Sequence, residues 1–325
     1  MGEPAGIGGE IALKAWTERR EDTPAFFIID DAQRLAEIAQ RFGINAPVQA
    51  IGDAGQARAV FARALPVLSP LCPLAAPVAL GKPSRAAAPA VIGAIDQAVA
   101  LTNAGKASGI VTNPIHKATL QSAGFAFPGH TEYLGHLAGD LETVMMLAVE
   151  GLRVVPVTVH LAMKDVARAL SPQAIVRAGL ITAMALRTDF GIARPRLAVA
   201  AFNPHAGEEG NMGDEELRVI TPAIMQLREE GIDASGPAPA DTLFHPAARA
   251  KFDAALCMYH DQALIPLKTI DFATGVNVTL GLPFVRTSPD HGTAFDIAER
   301  GVADPSSLLA ALRMAASIAA RRNMV

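Results

Sequence analysis

The segment FDAALCMYHDQALIPLK (252–268) carries the pattern that decides the fold class. Its first eight residues predict a buried β-strand, and the apolar run then breaks into His-Asp-Gln before it returns at Ala-Leu-Ile. Polar residues at this point form either a solvated turn or part of a binding or catalytic site. Ligands bind beyond the carboxyl ends of strands in parallel α/β sheets. The same pattern at other strand ends of this chain would therefore favour a functional site over a solvated turn.

Alternation of strands and helices extends along the whole chain. Apolar, strand-like runs alternate with segments of helical periodicity, which is typical of an α/β protein with a mostly parallel sheet. The run AFFIID (25–30) precedes the helical segment DAQRLAEIAQRF, whose following glycine predicts a helix C-cap. A second helix is predicted over Pro172–Thr188. A length of 325 residues favours about two domains.

Composition narrows the class of partner. The net charge is −4, only 5% of the residues are aromatic and no block of Lys and Arg occurs, so we expect no nucleic-acid binding. No run approaches the roughly 20 apolar residues of a membrane helix, and no signal peptide is visible. Cys72 and Cys257 are far apart, without CxxC spacing, and are expected to be reduced core residues. We therefore expect a cytoplasmic protein that acts on a small molecule.

Three histidines stand at the ends of predicted strands, namely His160 in VTVHLAMK, His205 in AAFNPHAGEEG and His260 in CMYHDQ. Strand ends on one edge of a sheet converge, and neutral imidazoles from different elements can hold one divalent ion. No HxxxH or HxH spacing supports a ligand role, so each one alone could equally be a hydrogen-bonded turn histidine. Asp261, next to His260, could be a ligand or could accept the other imidazole N–H.

A second set of residues is suited to binding an anionic group. His130 and Thr131 in FPGHTEYLGHL lie at the predicted N-terminus of a helix, where backbone N–H groups attract negative charge. Lys268, Asn277 and Arg286 follow later in the chain. Arg binds phosphate as a fork and Lys as a point charge. These could be solvated surface charges, but Lys268 and Arg286 are embedded in apolar sequence, which favours an anionic substrate.

Eight motifs occur in one order between the first residues and about Gly301: GEPAGIGGE, TNPIHK, PGHTEYL, NPHAGEEGNMGDEE, GPAPADT, YHDQALIPLK, GVNVTLGLP and RTSPDHGTAFDIA. This series resembles the 4-hydroxythreonine-4-phosphate dehydrogenase family of vitamin B6 biosynthesis. The resemblance implies two α/β/α domains with mostly parallel sheets, similar to isocitrate and isopropylmalate dehydrogenases, with the active site in the interdomain cleft and at a homodimer interface. The expected domains are residues 1–125 plus 292–325, and residues 126–291.

The resemblance also implies roles for individual residues. One divalent metal (Zn, Mg, Co or Mn) is expected on His160, His205 and His260, the histidines already placed at strand ends. Substrate contacts are expected at His130, Thr131, Lys268, Asn277 and Arg286. NAD or NADP is expected on HGTAFDIA, at His291, Gly292, Thr293 and Asp296. Lys268 and Asp261 are the catalytic candidates.

Four residues depart from the pattern of the family. Glu3 stands where the family has Asp, Gly9 where it has Pro, Ala263 where it has Gly, and Glu299 where it usually has Gly. Glu299 borders the expected cofactor loop, so the choice between NAD and NADP stays open. Ala263 lies beside the expected metal turn.

The implied reaction is oxidation of 4-phosphohydroxy-L-threonine to 2-amino-3-oxo-4-(phosphonooxy)butanoate, followed by decarboxylation to 3-amino-2-oxopropyl phosphate, in pyridoxal 5'-phosphate biosynthesis. Relatives act on erythronate or threonate 4-phosphate, or on carboxylated cis-dihydrodiols, and the anion contacts do not decide among these substrates. A non-catalytic, metal-dependent phosphometabolite-binding protein would have no use for the nucleotide loop. Acyl-phosphate transfer on a related fold would be revealed by dependence on coenzyme A.

Overall fold

The computed structural model of the chain describes residues 1–323. The described chain forms two compact units, one of Met1–Leu141 with Leu282–Ala319, and one of Glu142–Gly281 with residues 320–323. The unit boundaries thus follow Leu141 and Gly281. The domain boundaries expected from the sequence, after residues 125 and 291, stay a prediction.

Strands and helices alternate along the described chain. The strands are β1 (Ile28–Ile29), β2 (Val48–Ile51), β3 (Leu65–Leu68), β4 (Ile110–Val111), β5 (Val144–Val149), β6 (Leu152–Pro156), β7 (Arg196–Ala200), β8 (Asp233–Ala238), β9 (Ala254–Cys257), β10 (Val276–Leu280) and β11 (Arg286–Pro289). The helices are α1 (Gly8–Thr17), α2 (Ala32–Phe42), α3 (Ala57–Phe61), α4 (Ala88–Asn103), α5 (Lys117–Ser122), α6 (His130–Leu137), α7 (Met163–Ala169), α8 (Pro172–Thr188), α9 (Thr221–Glu229), α10 (Ala240–Leu243), α11 (Pro246–Arg249), α12 (His260–Ile270) and α13 (Ser306–Arg322).

The first unit contains a small parallel sheet with the strand order β1-β3-β2, and it also contains β4 and β11, which pair in parallel. Its main core consists of buried apolar residues from α1, α2, α13 and the small sheet, among them Ile11, Leu35 and Leu65. Helix α2 ends as the sequence predicts, because Gly43 adopts a left-handed φ of 63° and its N–H bonds back to the last turn. At the other end of α2, the Asp31 carboxylate accepts hydrogen bonds from two backbone N–H groups.

The second unit is built on six strands in the order β10-β5-β6-β9-β7-β8. Strand β5 is antiparallel to β10 and β6, while β6, β9, β7 and β8 run parallel to one another. Fully buried side chains such as Leu147, Val154 and Ala255 form its core, and helices α8 and α12 pack on the strands. The mixed α/β architecture with mostly parallel strands, expected from the sequence, is confirmed.

The His-Asp-Gln stretch differs from the predicted turn, because His260 is the first residue of helix α12. The structure separates the roles of the three side chains. Gln262 is buried, and its Oε1 accepts from the Met258 N–H at 2.6 Å while its Nε2 donates to the Ala201 carbonyl at 2.6 Å. Gln262 therefore ties the start of the helix to the end of β7. The side chains of His260 and Asp261 are partly exposed to solvent, so they are accessible to a ligand.

Both cysteines are free thiols, as predicted. Cys257 is fully buried in β9, and Cys72 is half-buried. Burial raises the pKa of the Cys257 thiol far above its ordinary value. The prediction of a core cysteine therefore holds for Cys257, which is inert toward ionisation, but is wrong for Cys72, which lies outside the core.

Within residues 1–323, no single helix is long and apolar enough to cross a membrane. Helices α7 and α8 meet that length and composition only when taken together, and they are bent by 86° at their junction.

Candidate active site

A pocket of ≈ 170 Å³ lies beyond the carboxyl ends of β6 and β9. These two strands are adjacent and parallel, with Pro156 opposite Cys257, so the segments that leave them emerge side by side. His160 follows the first strand and His260 the second, and their ring centroids are 6.0 Å apart. The lining comprises Thr158, His160, Leu161, Met163, Val166, Tyr259, His260 and Asp261.

Hydrogen bonds fix this pair of segments. The Thr158 hydroxyl donates to the Met258 carbonyl at 2.7 Å and joins the two strand ends. The Nδ1 atom of His260 lies 2.7 Å from Oδ1 of Asp261. In the tautomer that donates Nδ1–H to this carboxylate, Nε2 presents its lone pair, as a metal ligand must. His160 has a left-handed φ of 53°, a conformation that non-glycine residues adopt rarely and mostly under tertiary constraint.

His205 lies on an unusual turn after β7, the strand next to β9 in the sheet. Five consecutive residues, 205–209, have left-handed φ angles, between 42° for Glu208 and 76° for Gly207. For an L-residue this conformation costs roughly 1–2 kcal/mol, and four of the five carry a side chain. Strain of this kind clusters at functional sites, where surrounding structure holds it in place.

The three histidines thus come from segments that follow three neighbouring strands, β6, β9 and β7. The structure brings His160 and His260 together. Among the described residues, however, no three His, Cys, Asp or Glu side chains are grouped closely enough to hold a metal ion. The donor chemistry fits a divalent ion between His160 and His260, because metal–nitrogen bonds of about 2.0–2.1 Å are compatible with their separation. The complete three-histidine set stays a prediction.

Two cations of the first unit, Arg286 and Lys117, form a cationic cluster next to His130. Arg286 lies in β11 and is only 4% exposed, and its Nη2 donates to the Thr112 hydroxyl at 2.7 Å. Burial lowers the pKa of Arg286 to about 10, opposed by the nearby charge of Glu132, so the guanidinium stays protonated at neutral pH. His130 opens α6, as predicted, and is half-buried. Burial holds the pKa of His130 well below its usual value, and the charges of Arg286 and Lys117 lower it further.

The remaining predicted substrate residues are half-buried. Thr131 is the second residue of α6, Asn277 lies on β10 opposite Leu147 of β5, and Lys268 is in the last turn of α12. The Asn277 Oδ1 atom is buried without a hydrogen-bond partner. The Lys268 Nζ lies 5.4 Å from the centroid of the Phe272 ring. Lys268 and Asn277 belong to the second unit, whereas the cluster around Arg286 belongs to the first.

The expected cofactor loop packs against the glycine-rich start of the chain. The Ile7 N–H donates to the Thr293 carbonyl at 3.1 Å, and a Cβ placed on Gly6 would lie 2.7 Å from the same oxygen. Gly6 is therefore required by close backbone approach. His291 contacts the Gly292 carbonyl through Nδ1 at 3.0 Å, and its buried Nε2 has no hydrogen-bond partner. Gly292 faces open space, and Asp296 is exposed.

The four departures from the family pattern are accommodated differently. Glu3 is buried, and burial raises the pKa of its carboxyl although the Ala5 N–H donates to it. A Cβ on Gly9 would lie 2.9 Å from Cδ1 of Ile38, so α1 packs closely on α2 there. Ala263 is fully buried in α12, whereas Glu299 forms an exposed salt bridge with Arg41 at 3.3 Å.

Sequence reasoning missed Lys117 of the cationic cluster and Thr112, the hydroxyl that accepts from Arg286, although both lie in the motif TNPIHK that it quoted. The available signal was the position of Thr112 directly after the apolar run that forms β4, and of Lys117 at the start of the following helix, α5. It also missed the left-handed turn at His205, for which the sequence offers only the glycines at 207 and 210.

We expect His130 to remain neutral well below pH 6.5, because burial and neighbouring cations disfavour its protonated form. The unfolded chain binds this proton near pH 6.5 and the folded chain does not, so folding stability should fall as the pH drops below 6.5. One such group contributes at most about 1.4 kcal/mol per pH unit. Side-chain NMR of His130 and urea unfolding at several pH values measure both effects. His130→Asn should flatten the pH dependence, and a ring that titrates near pH 6.5 would contradict this expectation.

Fold and site together define an α/β protein with a histidine-bearing pocket at the carboxyl ends of parallel strands and a cationic cluster built around a buried arginine. Comparison with known proteins refines this class. Residues 22–315 match the family described as pyridoxal phosphate biosynthetic protein PdxA. Because the match covers most of the chain, the chain belongs to this family.

Individual relatives agree with this assignment. A curated protein from Caulobacter vibrioides, named 4-hydroxythreonine-4-phosphate dehydrogenase, is 55% identical over 329 residues, covering 99% of this chain and 97% of that protein. The crystal structure of 4-hydroxythreonine-4-phosphate dehydrogenase from Klebsiella pneumoniae is 37% identical, covers 98% of both chains and has a TM-score of 0.86. A terephthalate 1,2-cis-dihydrodiol dehydrogenase from Burkholderia xenovorans is 26% identical, with a TM-score of 0.63 and coverage of 98% and 96%.

Proposed function

We propose that this chain oxidises 4-phosphohydroxy-L-threonine with NAD or NADP to 2-amino-3-oxo-4-(phosphonooxy)butanoate, which loses carbon dioxide to give 3-amino-2-oxopropyl phosphate. The observation that carries the proposal is the buried guanidinium of Arg286, with the exposed Lys117 and the neutral His130 close to it, because a protonated arginine at 4% exposure suits a phosphate group. The 55% identity to a protein named 4-hydroxythreonine-4-phosphate dehydrogenase supports this substrate over other phosphates. The reaction serves pyridoxal 5'-phosphate biosynthesis.

The metal site in this proposal consists of His160, His205 and His260. Support comes from the 6.0 Å separation of two of the rings and from the three neighbouring strands that precede the histidines. When bound, a divalent ion such as Zn, Mg, Co or Mn supplies Lewis-acid polarisation of the substrate's alcohol oxygen. Asp261 orients the His260 ring through its contact with Nδ1, which presents Nε2 for ligation.

The protein's own groups bind and orient the substrate. Arg286 and the N–H groups at the start of α6, with His130 and Thr131, bind the phosphate. Lys268 and Asn277 hold the amino-acid end, and Lys268 is also the candidate for proton transfer to or from the reacting alcohol. Each of these contacts restricts the motion of the bound substrate, which lowers the entropic cost of the reaction.

A bound nicotinamide cofactor would supply the hydride acceptor for this oxidation. We propose that it binds the loop of His291, Gly292, Thr293 and Asp296. The bond from Ile7 to the Thr293 carbonyl supports a fixed loop conformation, and the open space at Gly292 permits close approach of a ligand. Glu299, the acidic residue that borders this loop, forms a salt bridge with Arg41.

We also propose a homodimer with the active site at its interface. The second unit exposes large apolar side chains, with Phe272 78% and Ile265 65% exposed, and contact with a second copy would bury them. The two free cysteines support a reducing compartment, and we propose that the protein acts in the cytoplasm.

A second candidate activity is oxidation of a carboxylated cis-dihydrodiol or of erythronate or threonate 4-phosphate. The relative from Burkholderia xenovorans, named for a dihydrodiol substrate, gives this candidate a specific basis. The cationic cluster would accept a carboxylate or a phosphate, so the distinction has to come from kinetics.

The test of the proposed function is NAD(P)H absorbance with purified protein, supplied in turn with Zn, Mg, Mn or Co after chelation. We expect 4-phosphohydroxy-L-threonine to give the highest kcat/KM, by at least about tenfold over erythronate 4-phosphate, since each 1.36 kcal/mol of transition-state binding is worth tenfold. Unphosphorylated 4-hydroxythreonine serves as the matched control for the phosphate contacts. A higher kcat/KM with another substrate would transfer the assignment to it, and binding without turnover would support a binding protein.

A further inference from the structure

One buried carboxylate, that of Glu216, bonds to the residues directly before the left-handed turn that carries His205, and Glu215 shares the Asn203 side-chain amide at 2.7 Å. Glu216 is only 3% exposed, and its Oε1 accepts hydrogen bonds from the backbone N–H groups of Phe202 and Asn203, at 2.8 and 2.7 Å. Its Oε2 accepts from the Asn203 side-chain amide at 2.9 Å. These bonds fix the residues that join β7 to the turn.

The turn itself is fitted around this carboxylate. A Cβ on Gly207 would lie 2.7 Å from Glu216 Oε2, so the backbone passes too close for any residue other than glycine. The turn is closed behind Gly207 by the bond from the Met212 N–H to the Gly207 carbonyl, at 3.0 Å. The backbone at Gly207 and the Glu216 carboxylate are therefore packed tightly against each other.

Local geometry explains how Glu216 reaches this position. It is the first residue of a single π-helical turn, Glu216–Ile220, which precedes α9. Such turns are rare and frequently occur at functional sites. The acidic side chain faces inward, while Arg218 on the same turn is exposed and pairs with Asp214 at 2.6 Å.

We propose that Glu216 is a positioning residue for the metal site: it holds the strained segment around His205 in the left-handed conformation from which that imidazole ligates the ion. The inference rests on the proposed role of His205 as a metal ligand. Glu216 itself acts through the backbone and through Asn203, and it contacts neither substrate nor ion. A ligand on a preorganised turn binds without first ordering the turn.

The experiment measures the Zn²⁺ dissociation constant of the full-length protein by chelator competition, together with amide hydrogen exchange of residues 202–213 in the metal-free protein. Glu216→Ala should weaken Zn²⁺ binding by about 10–100-fold, the range typical for outer-sphere partners of metal ligands, and should accelerate exchange in that segment. Glu216→Gln retains one acceptor oxygen for the two backbone N–H groups, so its Zn²⁺ affinity should lie between those of Glu216→Ala and the unaltered protein. The matched control is Arg218→Ala, on the same π turn, which should change neither quantity.

The outcomes separate this inference from the proposed function. Unchanged Zn²⁺ affinity in Glu216→Ala, alongside weakened binding in His205→Ala, overturns the positioning role and leaves the histidine site intact. Unchanged affinity in His205→Ala overturns the metal assignment itself, and the positioning role with it. If Glu216→Ala does not fold, Glu216→Gln decides: a loss of at least about threefold supports the inference, because its amide N–H groups oppose the Asn203 donor, and no loss overturns it.

Discussion

Replacing His260 by alanine is expected to lower kcat/KM for 4-phosphohydroxy-L-threonine by about 10³-fold or more. Loss of one preorganised group at a developing charge costs about 10²–10³ in rate, and a weakened metal site removes several further kcal/mol of charge stabilisation. The substitution also leaves Asp261 without its 2.7 Å contact to the ring. Steady-state NAD(P)H formation and the zinc content of the purified variant measure both consequences.

His245→Ala is the matched control for this prediction. His245 is an exposed histidine of the same unit, located at the start of α11 and absent from the pocket lining. We expect this variant to retain activity and metal content. A His260→Ala variant with activity similar to that of His245→Ala would contradict the assignment of His260 to the metal site.

The second large effect is expected for Arg286→Met. Methionine places an apolar side chain in a site that is only 4% exposed, so the fold should persist. The phosphate, however, loses its forked hydrogen-bond donor. Two charge-assisted hydrogen bonds of about 1.5–3 kcal/mol each correspond to a loss of roughly 10²–10⁴ in kcat/KM. Lysine should not restore the activity, because a point charge does not reproduce the fork.

This substitution has a second readout that is independent of turnover. The positive charge of Arg286 is one cause of the lowered pKa of His130, so the pKa of that ring should rise in Arg286→Met, as followed by NMR. Thr112→Val is the matched control, since it removes only the hydroxyl that accepts from Nη2 and retains the charge. An unaltered kcat/KM together with an unaltered His130 pKa would contradict the cationic cluster.

Local patterns in the sequence predict much of the fold. The Asp31 cap and the left-handed Gly43 bound α2 where the sequence places its ends, and His130 begins α6 as predicted. These features depend on neighbouring residues, whose preferences can be read directly. The pairing of His160 with His260 also follows, because parallel strand ends share an edge of the sheet.

Other features depend on contacts that are distant in sequence and could not be predicted. The start of α12 at His260 depends on Gln262, which bonds to Ala201 of another strand end. The left-handed conformation of His205 contradicts local preference and is held by Glu216. Lys117 joins the site only because folding brings its charge close to His130.

The position of β9 has a consequence for synthesis of the chain on the ribosome. In the sheet β9 lies between β6 and β7, yet both of these strands precede it in the sequence. Until residue 257 has emerged, β6 and β7 both lack β9 as a neighbour, and each keeps one unpaired hydrogen-bonding edge. The nascent polypeptide therefore exposes an incomplete, aggregation-prone sheet edge for about 100 residues of translation, which takes roughly 5–20 seconds at ordinary elongation rates. Chaperone protection matters most during this interval.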